Sequence, residues 1–206
     1  MENILLKTPP FHFMSFDAYR EYTEAIIVGR GMREGIYTDE KIIRYTLANA
    51  ERMQNLMDNM IIHQKLYNAL LKLKDKWIWV VITEPWCGDA AWSVPALYLM
   101  ASVTNKIDYR IILRDKHPEW IQLYHTHGKA SIPKLICFDV RGKESFIWGP
   151  RPRALEEEMA MWLQEGAKDF RTMVQLVHEW YARDMGNAIQ IEMLGLIKKH
   201  IQQTAL

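Results

Sequence analysis

Thr83-Glu84-Pro85-Trp86-Cys87-Gly88-Asp89-Ala90 is the stretch on which the reading of this chain turns, together with Ser131-Ile132-Pro133 further on. Just before it, Ile78-Trp79-Val80-Val81-Ile82 is a short unbroken apolar run, the pattern of a strand covered on both faces. A helix is predicted from about Asp89. Cys87 therefore falls just before the first turn of a helix, where free backbone N–H groups and the helix dipole favour a thiolate.

Downstream, Tyr109-Arg110-Ile111-Ile112-Leu113 reads as a second strand and residues 118–126 as a short helix. Leu135-Ile136-Cys137-Phe138 is a third strand, Gly142 marks a turn, and Glu144-Ser145-Phe146-Ile147-Trp148 is a fourth. Leu155, Met159, Trp162 and Leu163 then mark a helix. This β-α-β-α-β-β-α order predicts an α/β fold, a central mixed sheet with helices on both faces. Beyond Gly166, Phe170, Val174, Val177 and Tyr181 pattern one helix, and Ile189, Met193, Leu196 and Ile197 another, with Gly186-Asn187 between them. Upstream, Ser15 is expected to cap a helix with Asp17 in its first turn. Phe16, Tyr19, Thr23, Ile26 and Ile27 follow helical spacing, and Gly29 and Gly31 place its end near Arg30. Thr38 is the expected cap of a second helix, aided by Asp39 and Glu40. Ile43, Leu47, Ala50, Met57, Met60, Ile61, Tyr67 and Leu71 line one broad face of it. That Met-rich face reads as packing against the next unit. Three parts result: a helical extension over 1–75, a central unit over 76–165, and a helical extension over 166–206.

Composition narrows the function. A net charge of +1 argues against a nucleic-acid or anionic-membrane partner, and 49% apolar residues in 206 can bury a full core. No apolar run approaches the roughly 20 residues that span a bilayer, and residues 1–10 hold too short an apolar stretch for a signal peptide. A cytoplasmic location is expected. Two cysteines, Cys87 and Cys137, exclude a secreted-type disulfide framework.

The Trp-Cys-Gly after an apolar strand, with Ile132-Pro133 opening a later strand, resembles the active site of the thioredoxin family. Asp115-Lys116-His117-Pro118, Gly128 through Pro133, Gly142-Lys143 and Gly149 fall in register with that family's landmarks. The run Gly149-Pro150-Arg151-Pro152 makes the whole chain similar to bacterial thioredoxin-like proteins that carry Trp-Cys-Gly-Asp. The resemblance implies a thioredoxin-like fold with helical extensions, a catalytic Cys87, and a substrate site of Trp86, Gly88, Asp89, Ile132 and Pro133. It also implies a cis bond before Pro133, with Ile132 offering backbone groups to an extended peptide by strand addition. Three positions depart from the family. Ala90 stands where the second cysteine would be. Val81 and Ile111 stand where a buried aspartate and its lysine partner would be.

A chain without that second cysteine is left with single-thiol chemistry or a binding role. In the first, the Cys87 thiolate attacks a protein disulfide or a small-thiol mixed disulfide, and an external thiol reductant releases the product. In the second, the same groove and the Met- and Trp-rich helices hold a protein partner. Cys137 lies roughly 13 Å along a strand from Pro133, too far for a disulfide needing Cα atoms within about 7 Å, and reads as core. Asp89 and Glu84 oppose a low thiol pKa by like-charge repulsion, although Asp89 reads better as a helix-start residue. His117, His125 and His127 lack zinc spacing; no metal or other cofactor is expected. Arg151 and Arg153 read as solvated arginines around a helix-entry proline, with a small thiol's carboxylate as the other reading. A monothiol glutaredoxin carrying an iron–sulfur cluster is disfavoured by Trp86 and by Gly149-Pro150-Arg151-Pro152.

Overall fold

In the computed structural model, the apolar run stands at the centre of the sheet. β1 (Trp77–Thr83) pairs in parallel with β2 (Ile107–Leu113) and antiparallel with β3 (Lys134–Asp139); β4 (Glu144–Trp148) pairs antiparallel with β3, giving the order β2-β1-β3-β4. Every β1 residue except Ile78 is buried, which is why the strand has no polar alternation. Parallel pairing requires a crossover, supplied by α5 (Ala90–Ala101), a helix buried nearly all round. The structure describes residues 4–30, 34–166 and 169–204, with the side chains of 202–204 excepted. Gly31, expected near the end of the first helix, lies outside them.

The flanking helices follow from local sequence with some corrections. Short α1 (Ile4–Lys7) and a 3₁₀ turn over Pro10–His12 carry no signal that the sequence reading used. Met14 then exchanges both backbone hydrogen bonds with Ile111, at 2.8 and 2.9 Å, covering part of the open edge of β2. α2 (Phe16–Val28) starts as expected, with Ser15 Oγ accepting from Ala18 N–H, and ends on Gly29 in a left-handed conformation. α3 (Glu40–Asn59) is capped by Asp39, which accepts from Lys41 N–H, and not by Thr38, whose hydroxyl donates to Gly35 O.

The single long face expected over 43–71 is a second correction. The helix stops at Met60, and α4 (Gln64–Leu71) begins a new one. Leu47, Ile61, Tyr67 and Leu71 are exposed, while Ile43, Thr46, Asn49, Met53 and Leu56 form the buried stripe of α3. Ile43 is thus buried as expected, and Met57 and Met60 pack against the core, but two polar residues lie on the stripe, so an apolar-only pattern recovers only part of it.

α6 (Pro118–Leu123) is shorter than the 118–126 expected. After β4 come α7 (Arg153–Gln164), α8 (Phe170–Asp184) and α9 (Asn187–Thr204). α3 packs along α5, α8 against α7, and α9 against α4 and β4. Gln190, 1% exposed, ties the two ends of the chain together: its carboxamide accepts from His63 N–H at 2.7 Å and donates to Ile61 O at 3.1 Å. One hydrophobic cluster runs through residues of all three stretches. Among the described residues no helix is long and apolar enough to cross a membrane.

Candidate functional site

The chain leaves β1 through a tight turn in which Cys87 N–H donates to Glu84 O at 3.1 Å, and enters α5 with Ala91 N–H donating to Cys87 O at 3.2 Å. Cys87 is 7% exposed, and its thiol donates to Ile132 O at 3.4 Å. The Ile132–Pro133 bond is cis, as the resemblance implied. The Cys87 pKa is pushed up to about 12, first by burial and then by the Asp89 carboxylate, against the backbone N–H groups of Ala90 and Asp89 and the Arg151 charge, which lower it. This corrects the expectation that the helix start favours a thiolate. A helix terminus is worth about 0.3–2 kcal/mol to an anion, whereas burying a charge costs several kcal/mol. Cys137, fully buried on β3, is also held protonated by burial, and both cysteines are free.

Asp89 is more than a helix-start residue. Its side chain makes no cap hydrogen bond. Its carboxylate receives Arg151 through Nε at 2.8 Å and Nη2 at 2.7 Å, and the Tyr181 hydroxyl at 3.1 Å. Arg151 is therefore neither a solvated arginine nor free for a ligand's carboxylate; Arg153 is exposed and pairs with Glu157. Arg151 is delivered by a loop whose Gly149 has φ 103°; a Cβ there would stand 2.4 Å from Pro133 O. Only glycine permits that approach between the two proline loops. Tyr181 comes from α8, as does His178, whose Nδ1 accepts from Trp92 Nε1 at 3.3 Å. Trp92 and Tyr181 stack with centroids 5.9 Å apart. The C-terminal extension thus covers one side of the Cys87 turn.

The other side is buttressed by the N-terminal helices. Asn49, 2% exposed, donates to Pro85 O at 3.0 Å. Glu84, 1% exposed, accepts from the Tyr37 hydroxyl at 2.9 Å and from Asp115 N–H at 2.8 Å. Burial raises its pKa to about 7. Trp86 is half-buried under the Arg114 guanidinium, 4.8 Å from its ring centroid, and Arg114 also donates to Ala130 O beside the Ile132–Pro133 loop. Val81 and Ile111 face each other across β1 and β2, both fully buried.

Cys87, Trp86, Gly88, Asp89, Ile132 and Pro133 are thus gathered around one turn, with the Ile132 carbonyl occupied by the thiol. His117 contacts His12 and Glu119, and His125 and His127 are exposed, so the three do not converge. Two open surface hollows, about 440 Å³ beside Arg20 and Gln54 and about 530 Å³ beside His63 and Gln190, are not lined by residues of the turn. Tyr37, Asn49 and His178 were not legible as site residues. The usable signal was a buried-stripe position in α3 filled by Asn49, a residue that needs a specific partner when buried.

No curated protein matches the sequence. Among solved structures, an HIV epitope-scaffold superposes with a TM-score of 0.54 at 19% identity, covering 88% of this chain and 98% of its own. A protein of unknown function, PA1234 from Pseudomonas aeruginosa, superposes with a TM-score of 0.51 at 17% identity, covering 90% and 98%. Both likenesses show the fold alone. The Thioredoxin_9 family model, described as thioredoxin, matches residues 35–169, which take in the whole sheet, the Cys87 turn and the helices that buttress it on one side. By that match over more than half of its length, the chain belongs to the thioredoxin family.

Proposed function

We propose that the protein exchanges thiols and disulfides through Cys87 alone, in a site that is closed at rest. The observation that carries this reading is the convergence on one sulfur of the Ile132 carbonyl and of the Asp89 and Ala90 backbone N–H groups, with Arg151 close enough to favour its ionised form. In the reaction the Cys87 thiol loses its proton to solvent and its sulfur attacks one sulfur of a protein disulfide or a small-thiol mixed disulfide. The S–S bond breaks, and the departing thiolate is protonated. Ala90 has no thiol with which to resolve the product, so an external thiol must attack it. Trp86, Gly88, Ile132 and Pro133 flank the sulfur on the substrate side, while Asp89 fastens the α8 cover. A substrate gains access by displacing that cover.

A second reading, a redox-inactive binding module, is favoured by the burial of Cys87 and its pKa of about 12. The test is the pH dependence of Cys87 alkylation in a Cys137→Ser background, with Cys87→Ser as blank, followed by incubation with hydroxyethyl disulfide. The exchange reading expects slow alkylation at neutral pH and a stoichiometric mixed disulfide that a reduced thiol removes. Failure to form the mixed disulfide would leave the binding module, which tolerates Cys87→Ser.

A further inference from the structure

The net charge of +1 is a sum over cations that are unevenly placed. Many of them gather at the end of the sheet away from the Cys87 turn. β1 starts there at Trp77, whose N–H donates to Lys106 O at 2.7 Å and whose register partner on β3 is Asp139. Asp139 N–H in turn donates to Lys143 O at 2.9 Å. Lys106, Lys76 and Lys143 thus stand at the ends of β2, β1 and β4, with neighbouring strands about 4.8 Å apart. Lys74 O accepts from Lys106 Nζ at 3.1 Å, and Lys72 follows the end of α4. α9 runs toward the same pole. Glu192 meets Trp148 at the far end of β4, whereas the His200 ring lies 5.1 Å from the Trp77 ring. Lys198 and Lys199 therefore join the cluster.

Lys72, Lys74, Lys76, Lys143, Lys198 and Lys199 are all exposed. Among the described residues none of their ammonium groups forms an ion pair. The carboxylates nearby are spent elsewhere. Asp139 accepts from Arg141 and from Lys143 N–H, Asp108 pairs with Arg110, and Glu144 accepts from the Tyr124 hydroxyl. Asp75 is left between Lys74 and Lys76. Helix C-termini favour cations, which accounts for Lys72, but Lys74, Lys76 and Lys143 lie outside the helices.

Two apolar side chains project among these charges. Val140, at the tip of the β3–β4 hairpin, is 61% exposed, and Leu71, beside Lys72, is 53% exposed. The rings of the sheet end, Trp77, Phe146 and His200, pack against one another and offer no platform to nucleic-acid bases. Unpaired lysines around exposed aliphatic side chains match the anionic headgroups and acyl boundary of a bilayer surface.

We propose that this pole docks on an anionic lipid surface, with its lysines on the headgroups and with Val140 and Leu71 at the acyl boundary. β1 separates the pole from Thr83 by roughly 20 Å, at about 3.3 Å per residue, so a docked molecule presents its Cys87 turn away from the lipid. Docking is independent of the exchange reading.

The test is co-sedimentation of the full chain with phosphatidylcholine vesicles, with and without about 30% phosphatidylglycerol, at about 0.1 and 0.5 M NaCl. Binding is expected only with phosphatidylglycerol, and it should be lost at the higher salt. Lys74→Gln, Lys76→Gln and Lys143→Gln combined should weaken it about a hundredfold. All three positions are exposed, so the variant should keep its fold, which circular dichroism checks. Arg44→Gln, Arg171→Gln and Arg183→Gln combined remove the same charge elsewhere and should leave the affinity within about threefold. Absence of binding, equal affinity of the Lys74, Lys76 and Lys143 variant, or an equal loss in the arginine variant overturns the assignment. Binding of a short DNA duplex that needs these lysines, with none to the vesicles, overturns it in favour of nucleic acid.

Discussion

Removing the Asp89 charge weighs what holds the Cys87 thiol protonated. Asp89→Asn keeps the shape but leaves Arg151 as the dominant nearby charge, so the midpoint of alkylation should drop by about 1–3 pH units from its value of about 12. The measurement is the iodoacetamide rate between pH 7 and 10, which should rise about tenfold or more at pH 8; an unchanged rate would mean that burial acts alone. Glu84 gives a second residue-scale prediction. Its folded pKa is about 7 against an ordinary 4.5, so the folded state binds the extra proton. Stability should therefore fall as pH rises from about 4.5 through 7, by at most about 3 kcal/mol. Glu84→Gln should flatten that dependence, as read from urea midpoints between pH 5 and 8. Glu84 was visible in the sequence as a carboxylate near the thiol, but its partners Tyr37 and Asp115 lie 47 and 31 residues away.

At the scale of elements, the Cys87 turn is located by two loops and three helices. Gly149→Ala combines a positive φ with a 2.4 Å clash against Pro133 O, which the Pro133 backbone can relieve only by moving. We expect a loss of about 1–3 kcal/mol, with faster alkylation of Cys87 as the Arg151 loop withdraws from Asp89; thermal unfolding and the alkylation rate check the two parts. β1 and β3 were legible as short apolar runs, β2 by its apolar second half, and β4, which follows the Gly142 turn, spans the residues that were marked for it. The break between α3 and α4 was not legible. Met60 to His63 contain no proline or glycine, and what ends α3 there is tertiary: Gln190 binds both Ile61 O and His63 N–H.

Across the whole molecule, that glutamine joins the first and last helical stretches. Gln190→Leu leaves the Ile61 carbonyl and the His63 N–H without their partner and should cost about 1–3 kcal/mol. Because one hydrophobic cluster passes through both stretches and the sheet, the variant should still unfold in a single transition. Coincidence of circular dichroism and tryptophan fluorescence during urea unfolding measures this; two separated transitions would show that the extensions are independent.

The amino-acid sequence by itself determined the order of the strands and of the helices between and after them, the mixed sheet and the cysteine at a strand-to-helix turn; that a proline loop faces this cysteine came from the family resemblance. The former are local properties: apolar run length, capping residues and turn formers act within a few residues of themselves. Tertiary structure decided the chemistry of the turn. Whether a thiol is ionised depends on the solvent and charges around it, and here those come from α8, the Arg151 loop and α3, segments that no periodicity connects to Cys87.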